Sequence, residues 1–220
     1  MQPDADAAAA RMVERQIAAR GVADARVLAA MRAVPRDAFV PLPERDAAFD
    51  DGPLPIGEGQ TISQPYVVAL MCEAAGVEPG DRVLDVGTGS GYAAAVLSRL
   101  AARVCSIERH ASLAEAARER LAGLGYGNVE VRAGDGTLGW PEAGAVFDAI
   151  VVAAAAPAVP EALKRQLAAG GRLVIPVGGR RGQSLLRLRR TAAGGFEEED
   201  LGAVAFVPLV GGQGWPVPRA

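Results

Sequence analysis

Histidine is almost missing from this chain: His110 is the only one in 220 residues. That excludes a histidine-rich zinc centre and an HExxH metallopeptidase helix. Cysteine is nearly as scarce. Cys72 and Cys105 stand apart in apolar sequence with no CxxC spacing, which predicts two inert core thiols in a reducing cytoplasm, with no disulfide and no metal. No run approaches the roughly 20 apolar residues that span a bilayer, so no membrane association is expected. The opening MQPDADAAAARMVER mixes acid and base where a secretory signal needs a basic start and an unbroken apolar stretch. Excess positive charge is lacking too. The net charge is −3 and the isoelectric point about 5.3, which argues against a nucleic-acid partner, because phosphates are held by clustered Lys and Arg. One arginine-dense stretch (Arg180, Arg181, Arg187, Arg189, Arg190) is interrupted by apolar residues, as in an amphipathic strand with a solvated face. There is no GxxxxGK[ST], so P-loop chemistry is out.

Aromatics make up 5% of the chain and hydrophobic residues 50%. The length fits one domain, and abundant alanine suits helices packed closely on a sheet. Helical spacing over 8–20 ends at Gly21, and 24–34 reads as a second helix capped by Asp24 and stopped before Pro35. The proline-rich stretch 35–64 has no periodicity, yet its apolar content predicts ordered packing over a site. From Pro65 the pattern alternates. PYVVALMCEAAG (65–76) predicts a helix with proline in its first turn. Strands are predicted at 82–86, 103–107, 128–132, 147–152 and 171–177, with helices at 91–101, 112–123 and 160–169 between them. Such alternation means a doubly wound α/β fold with a mostly parallel sheet. SLLRLRR, FEEEDLGAV and AFVPLV then predict antiparallel strands closing one edge. Residues 1–220 are thus expected to form a single domain: 1–64 a helical and loop flank over the substrate, 65–180 a cofactor-binding core, 181–220 the C-terminal strands.

RVLDVGTGSGY (82–92) reads as strand, glycine turn and helix, with Gly87, Gly89 and Gly91 alternating. Glycine lets the backbone approach a ligand closely and leaves free N–H groups at the helix start. A structural tight turn would look similar, but three carboxylates accompany it. Glu108 ends the next strand, where a carboxylate can accept both hydroxyls of a ribose. Asp135, in GDG after the third strand, can accept from an adenine amino group. Asp85 precedes the turn and suits an ammonium. Each acid taken singly also fits a cap or a solvated surface position. NAD remains the competing ligand, but it prefers the longer GxGxxG with pyrophosphate on the helix N-terminus. S-adenosylmethionine has no phosphate and carries an amino group, which fits Asp85 better.

From about Arg11 to Trp215 the chain resembles the protein-L-isoaspartate O-methyltransferases, a class I S-adenosylmethionine-dependent family with a Rossmann-like fold. The resemblance rests on LPIGEGQTISQPYVVALM (54–71), LDVGTGSGY (84–92), CSIER (105–109), GDG (134–136), FDAIVVAAA (147–155), LAAGGRLVIPVG (167–178) and FVPLV (206–210). TISQP is the most specific of these blocks. The resemblance implies methyl transfer to the free carboxylate of L-isoaspartyl residues in damaged proteins and peptides, after which the ester collapses to a succinimide. It implies S-adenosylmethionine as cofactor and Ser63 as the active-site serine. It further implies that Thr61, Ile62, Gly87, Thr88, Gly89, Ser90, Gly91, Glu108, Arg109, Asp135 and Gly136 line the cofactor site with Asp85. Asp51, Tyr66, Val207, Pro208 and Leu209 fall where the family lines its isoaspartate pocket. The chain departs from common family patterns at Phe49 (often Tyr), Ala153 (often Thr) and Tyr66 (His in some branches).

A carboxylate is already nucleophilic at neutral pH, its pKa being near 4, so the transfer requires orientation and exclusion of water, not a base. The want of a second histidine is consistent with that. No GxSxG elbow surrounds Ser63 and no base adjoins it, so its expected role is a hydrogen bond to the carboxylate, and an N-cap for the helix at Pro65 is compatible with it. A cytoplasmic monomer is expected. A dedicated biosynthetic-peptide methyltransferase, a small-molecule methyltransferase and a silent adenosylmethionine-binding regulator remain as alternatives.

Overall fold

A computed structural model describes residues 3–179 and 182–216. The N-terminal helical stretch runs from Pro3 to Arg20: α1 (Pro3–Met12) continues through a π turn and a 3-10 turn. It ends at Gly21, whose φ of 100° is the left-handed stop expected there. The second helix, α2 (Ala25–Ala33), begins where Asp24 accepts from the Arg26 and Val27 N–H groups. Residues 36–62, without periodicity in the sequence, form two 3-10 turns (Arg36–Phe39 and Leu42–Ala47) and a hairpin of β1 (Leu54–Gly57) and β2 (Gln60–Ile62).

Proline at its first position opens α3 (Pro65–Ala75). The main sheet then follows in chain order: β3 (Arg82–Val86), α4 (Tyr92–Ser98), β4 (Arg103–Glu108), α5 (Ala111–Gly123), β5 (Val129–Ala133), β6 (Phe147–Val152), α6 (Glu161–Arg165), β7 (Leu167–Gly179), β8 (Gly182–Arg190) and β9 (Phe196–Val204). Its seven strands lie in the order β5-β4-β3-β6-β7-β8-β9. Five are parallel; β8 and β9 add antiparallel. The chain moves outward from β3 to β5 and returns to β6 on the other side of β3. That reversal leaves a crevice at the carboxyl ends of β3 and β6, where ligands of such sheets bind. Separate apolar layers pack the two faces, one around Phe39, Met71, Tyr92 and Leu97, the other around Trp140, Phe147, Leu163 and Leu173.

Two expectations fail. The helix expected at 160–169 stops at Arg165, and Leu167 already pairs with Phe147 as the first residue of β7. Gly170, at φ 76°, and Gly171 follow at once, a pair that disfavours helix and suits the irregular register there. AFVPLV forms no strand. It crosses the carboxyl edge of the sheet with isolated bridges only, Ala155 to Pro208 and Val210 to Trp215, because Pro208 offers no N–H for a ladder. In the arginine-dense stretch, Arg187 and Arg189 face Glu199 and Glu197 across β8 and β9, while Leu185 and Leu188 turn inward. Arg180 and Arg181 lie outside the described residues.

Candidate active site

The glycine turn between β3 and α4 holds Gly87, Gly89 and Gly91 at φ 94°, 52° and 90°, a conformation that β-carbon-bearing residues rarely adopt. A β-carbon on Gly136 would sit 2.5 Å from Val86 Cγ1, so this position too admits only glycine. Together they let main chain border a cavity lined by Gln60 to Ser63, the turn, Glu108 to His110, Gly136, Ala153, Ala154 and Val207 to Val210. Glu108 is almost fully buried at its floor. Its Oε2 accepts from Gly89 N–H and its Oε1 from His110 N–H, both at 2.9 Å. A carboxylate offers about four acceptor directions, so one on each oxygen is left for a ligand hydroxyl.

Asp85 lies beneath the turn, fully buried. Its Oδ2 accepts from Ser106 Oγ at 2.7 Å, and Ser106 Oγ lies 2.5 Å from Thr88 Oγ1. Asp85 Oδ1 has no protein partner among the described residues. Burial pushes the Asp85 carboxyl up to about 6, against the lowering effect of the Ser106 bond, and the Glu108 charge adds to the rise. A cation close by would reverse the burial effect.

A second, more open groove meets the first. It is bordered by Arg20, Pro53, Gln64, Tyr66, Leu70 and the chain from Leu201 to Phe206, and it shares Thr61, Ser63, Ala153 and Val207 with the inner cavity. Ser63 stands at that junction. It does not cap α3, whose N-cap is Gln64 with no side-chain bond. The Arg20 guanidinium lies 3.6 Å from the centre of the Tyr66 ring and 3.0 Å from Asp51 Oδ2.

The sequence pattern of the protein-L-isoaspartate(D-aspartate) O-methyltransferases matches residues 7–214. A Methylorubrum populi protein-L-isoaspartate O-methyltransferase is 64% identical over 209 residues, covering 95% of this chain and 98% of the relative. The chain belongs to the protein-L-isoaspartate O-methyltransferase family. A Rhodopseudomonas palustris protein-L-isoaspartate O-methyltransferase is 60% identical over 94% of this chain and 95% of its own. A solved protein-L-isoaspartate O-methyltransferase, 30% identical, superposes with a TM-score of 0.80 over 93% of this chain, which spans 66% of that structure's length. A Plasmodium falciparum protein described as a family member, in complex with S-adenosyl-L-homocysteine, superposes at 0.78 with 27% identity over 92% of this chain and 98% of its own.

Within this family frame, the sequence-predicted residues separate into three groups. Thr61, Ile62, Ser63, Gly87, Thr88, Gly89, Ser90, Glu108, Arg109, Gly136, Val207, Pro208 and Leu209 all border the inner cavity. Tyr66 borders the outer groove, while Asp51 stands behind Arg20 and also accepts from Gln64 Nε2 at 2.7 Å. Asp85, Gly91 and Asp135 border neither. Gly91 turns toward Leu121 of α5. Asp135 is spent locally: Oδ1 accepts from Thr137 N–H and Oγ1, and Oδ2 from Gly212 N–H at 2.7 Å. Sequence reasoning passed over Arg20, Arg36 and Tyr92, and noted His110 only for its rarity. Arg36 lies in an otherwise largely apolar stretch, AVPRDAFV, but the adjacent Asp37 offers an obvious partner, so the sequence carried no clear signal for its burial.

Proposed function

We propose that this protein transfers a methyl group from S-adenosylmethionine to the free carboxylate of L-isoaspartyl residues in damaged proteins and peptides, the reaction its family is named for. The reading rests on one observation: Ser63 borders both an inner cavity built for a nucleoside and an outer groove open to a peptide.

The residues present fit that donor. Glu108 keeps acceptor capacity for ribose hydroxyls, the glycine turn and Gly136 admit close approach, and the orphaned Asp85 Oδ1 supplies negative potential toward a ligand bearing ammonium and sulfonium. Arg109 and Ile62 close the sides of the cavity. S-adenosylmethionine supplies the methyl group on its sulfonium. The chain's own task is placement. The Ser63 hydroxyl donates to the substrate carboxylate and aims one oxygen at the inner cavity, and main chain around Val207 to Leu209 holds the peptide. No residue needs to remove a proton, because the carboxylate is ionised. Holding two reactants in line supplies on the order of 7–11 kcal/mol of such a barrier. The product ester is then attacked by the following backbone nitrogen, methanol leaves, and hydrolysis of the resulting succinimide returns part of the chain to normal aspartate.

The described parts divide this work within one domain: residues 3–64 cover the substrate, 65–179 bind the donor, and Leu201 to Val207 wall the outer groove. A cytoplasmic location fits the two buried free thiols. Among the described residues no helix is long and apolar enough to cross a membrane.

The test is transfer of labelled methyl groups to an isoaspartyl peptide and to its aspartyl twin. Labelling of the isoaspartyl peptide alone, with a loss of about 100-fold in kcat for Ser63→Ala, is the expected result. Equal labelling of both peptides, or none, overturns the reading, and undiminished turnover by the variant removes Ser63 from it.

A further inference from the structure

Arg36 is fully buried, and its partners are not acids. Its Nε donates to the Ala48 carbonyl at 2.7 Å and its Nη2 to the Ser63 carbonyl at 2.8 Å. Its Nη1 has no partner among the described residues. The guanidinium carbon lies 4.7 Å from the centre of the Tyr92 ring, a ring that borders the inner cavity. A buried cation without a counter-ion is costly, and an apolar side chain of the same length would fill this space more cheaply. Guanidinium is nonetheless suited to the place, because its rigid fork fixes two acceptors at once, which an ammonium on a flexible stem does not.

The two acceptors are telling. Ala48 ends the 3-10 turn at Leu42–Ala47, part of the flank over the site, and Ser63 stands where the two cavities meet. In a planar trans peptide the Ser63 carbonyl and the Gln64 N–H point opposite ways. Fixing that carbonyl therefore fixes the peptide plane from which the Ser63 side chain and the start of α3 both project. Arg36 itself lines neither the inner cavity nor the outer groove, so the hold leaves both open.

We propose that Arg36 is a positioning residue for methyl transfer: it clamps the Ser63 main chain to the covering flank and thereby sets the Ser63 hydroxyl against the substrate carboxylate. The proposal rests on the function given above, with Ser63 as its orienting group. A clamp of this kind acts on turnover more than on the binding of either ligand.

The experiment is a double-mutant cycle on the full chain with Arg36→Met, Ser63→Ala and the pair, assayed with an isoaspartyl peptide. Thermal unfolding and S-adenosylhomocysteine affinity are measured alongside. Wild-type activity establishes the reaction; failure there sinks the functional reading, whereas failure confined to the cycle sinks only the clamp. The expected result is a fall in kcat of about 10- to 100-fold for Arg36→Met, with KM and S-adenosylhomocysteine affinity changed less than threefold. In the Ser63→Ala background the further loss shrinks to less than threefold. Losses that multiply in the pair, or wild-type kcat in Arg36→Met, overturn the proposal. Arg36→Lys keeps the charge but not the fork and serves if the methionine variant does not fold: it is expected to remain low in kcat, and full kcat in Arg36→Lys overturns the clamp.

Discussion

Ser106 donates its hydroxyl to Asp85 across 2.7 Å, and no other bond reaches that carboxylate among the described residues. One hydrogen bond does not compensate for complete burial, and the Asp85 carboxyl is pushed up to about 6. The folded value lies above the unfolded value near 3.9, so the folded protein keeps the proton longer. The contribution of Asp85 to stability therefore declines as pH rises from about 4 to about 6, and is constant above that. Asp85→Asn removes the decline. Its unfolding free energy relative to wild type should grow by about 2 kcal/mol between pH 4 and pH 7. Urea unfolding of both proteins at the two pH values checks this, and parallel pH curves would contradict it.

The same carboxyl answers to a cationic ligand in the opposite sense. Positive charge beside Asp85 favours its ionised form, so binding of the donor and ionisation of Asp85 promote each other. S-adenosylmethionine affinity is expected to rise as pH passes upward through about 6 and then level off. Asp85→Asn should bind more weakly at pH 7.5, by about tenfold, and lose the pH dependence. Calorimetric titrations across pH 5–8 separate these outcomes. The residue that destabilises the empty fold at neutral pH would then be the one that strengthens its ligand.

Glu58, at the tip of the β1–β2 hairpin, is the one non-glycine residue with positive φ among the described residues, at 52°. Its Oε1 accepts from Ser112 Oγ at 2.6 Å and its Oε2 lies 3.7 Å from His110 Nδ1, at the start of α5. Ile56 of the same hairpin lies over Gly89, where a β-carbon would come within 3.1 Å of Ile56 Cδ1. The hairpin is thus fastened across the cavity mouth. Glu58→Gly removes the carboxylate and the backbone strain, which costs roughly 1–3 kcal/mol. The thermal midpoint should change little while S-adenosylhomocysteine dissociates about fivefold faster, the share expected from losing a bond of about 1 kcal/mol. Stopped-flow displacement measures that rate, and an unchanged rate would show that the hairpin tip plays no part in retention.

The parallel strands were legible because each is a short apolar run bounded by turn residues, and β3, β4 and β6 match their expected positions within one residue. Ligand chemistry was legible at the glycine turn and Glu108 because both lie within one strand–helix–strand unit, β3 to β4. What escaped depends on long-range contact. Arg36 reaches Ser63 across 27 residues, and Arg20 reaches Asp51 across 31. Local patterns of charge and hydropathy carry no trace of such pairs. Spacing also placed Asp85 and Asp135 near the rim without fixing which way they face. The first points into the protein and the second toward the 211–214 loop. The 166–169 error was local, since apolar spacing favoured helix while the Gly170–Gly171 pair decided for strand.

Arg20 and Asp51 are each about two-fifths exposed, so their ion pair contributes little to stability, on the order of 0–1 kcal/mol. The stacking of Arg20 on Tyr66 matters for the groove, because both side chains border it. Arg20→Ala should leave the unfolding midpoint within a few degrees and S-adenosylhomocysteine affinity unchanged. The KM for an isoaspartyl peptide should rise about three- to tenfold, the loss of one cation–π contact of roughly 1 kcal/mol together with a favourable charge. Steady-state kinetics with the donor saturating provides the measurement. A rise in the donor's KM instead would place Arg20 on the wrong side of Ser63.

Asp135 ties the last described turn of the chain to the sheet. Its Oδ2 holds Gly212 N–H at 2.7 Å, and Thr137, oriented by Asp135 Oδ1, holds Gln213 N–H at 2.9 Å. Trp215 then returns its N–H to the Leu209 carbonyl at 2.7 Å, while Leu209 N–H and the Val207 carbonyl are each 2.8 Å from the Ala155 main chain. The segment from Val207 to Leu209 is thereby fixed between Ala155 and a turn that Asp135 secures. Asp135→Ala removes the Gly212 anchor and the bond that orients Thr137 for the other, so its effect should spread beyond the inner cavity. Peptide KM should rise, by about tenfold for the loss of a charge-assisted bond of roughly 1.5 kcal/mol, and amide exchange at 207–215 should accelerate in the ligand-free protein. Asp135→Asn retains an acceptor for one anchor and should fall between. If exchange at 207–215 stays slow in the alanine variant while donor affinity alone drops, Asp135 acts on the ligand directly and the turn is held by its other bonds.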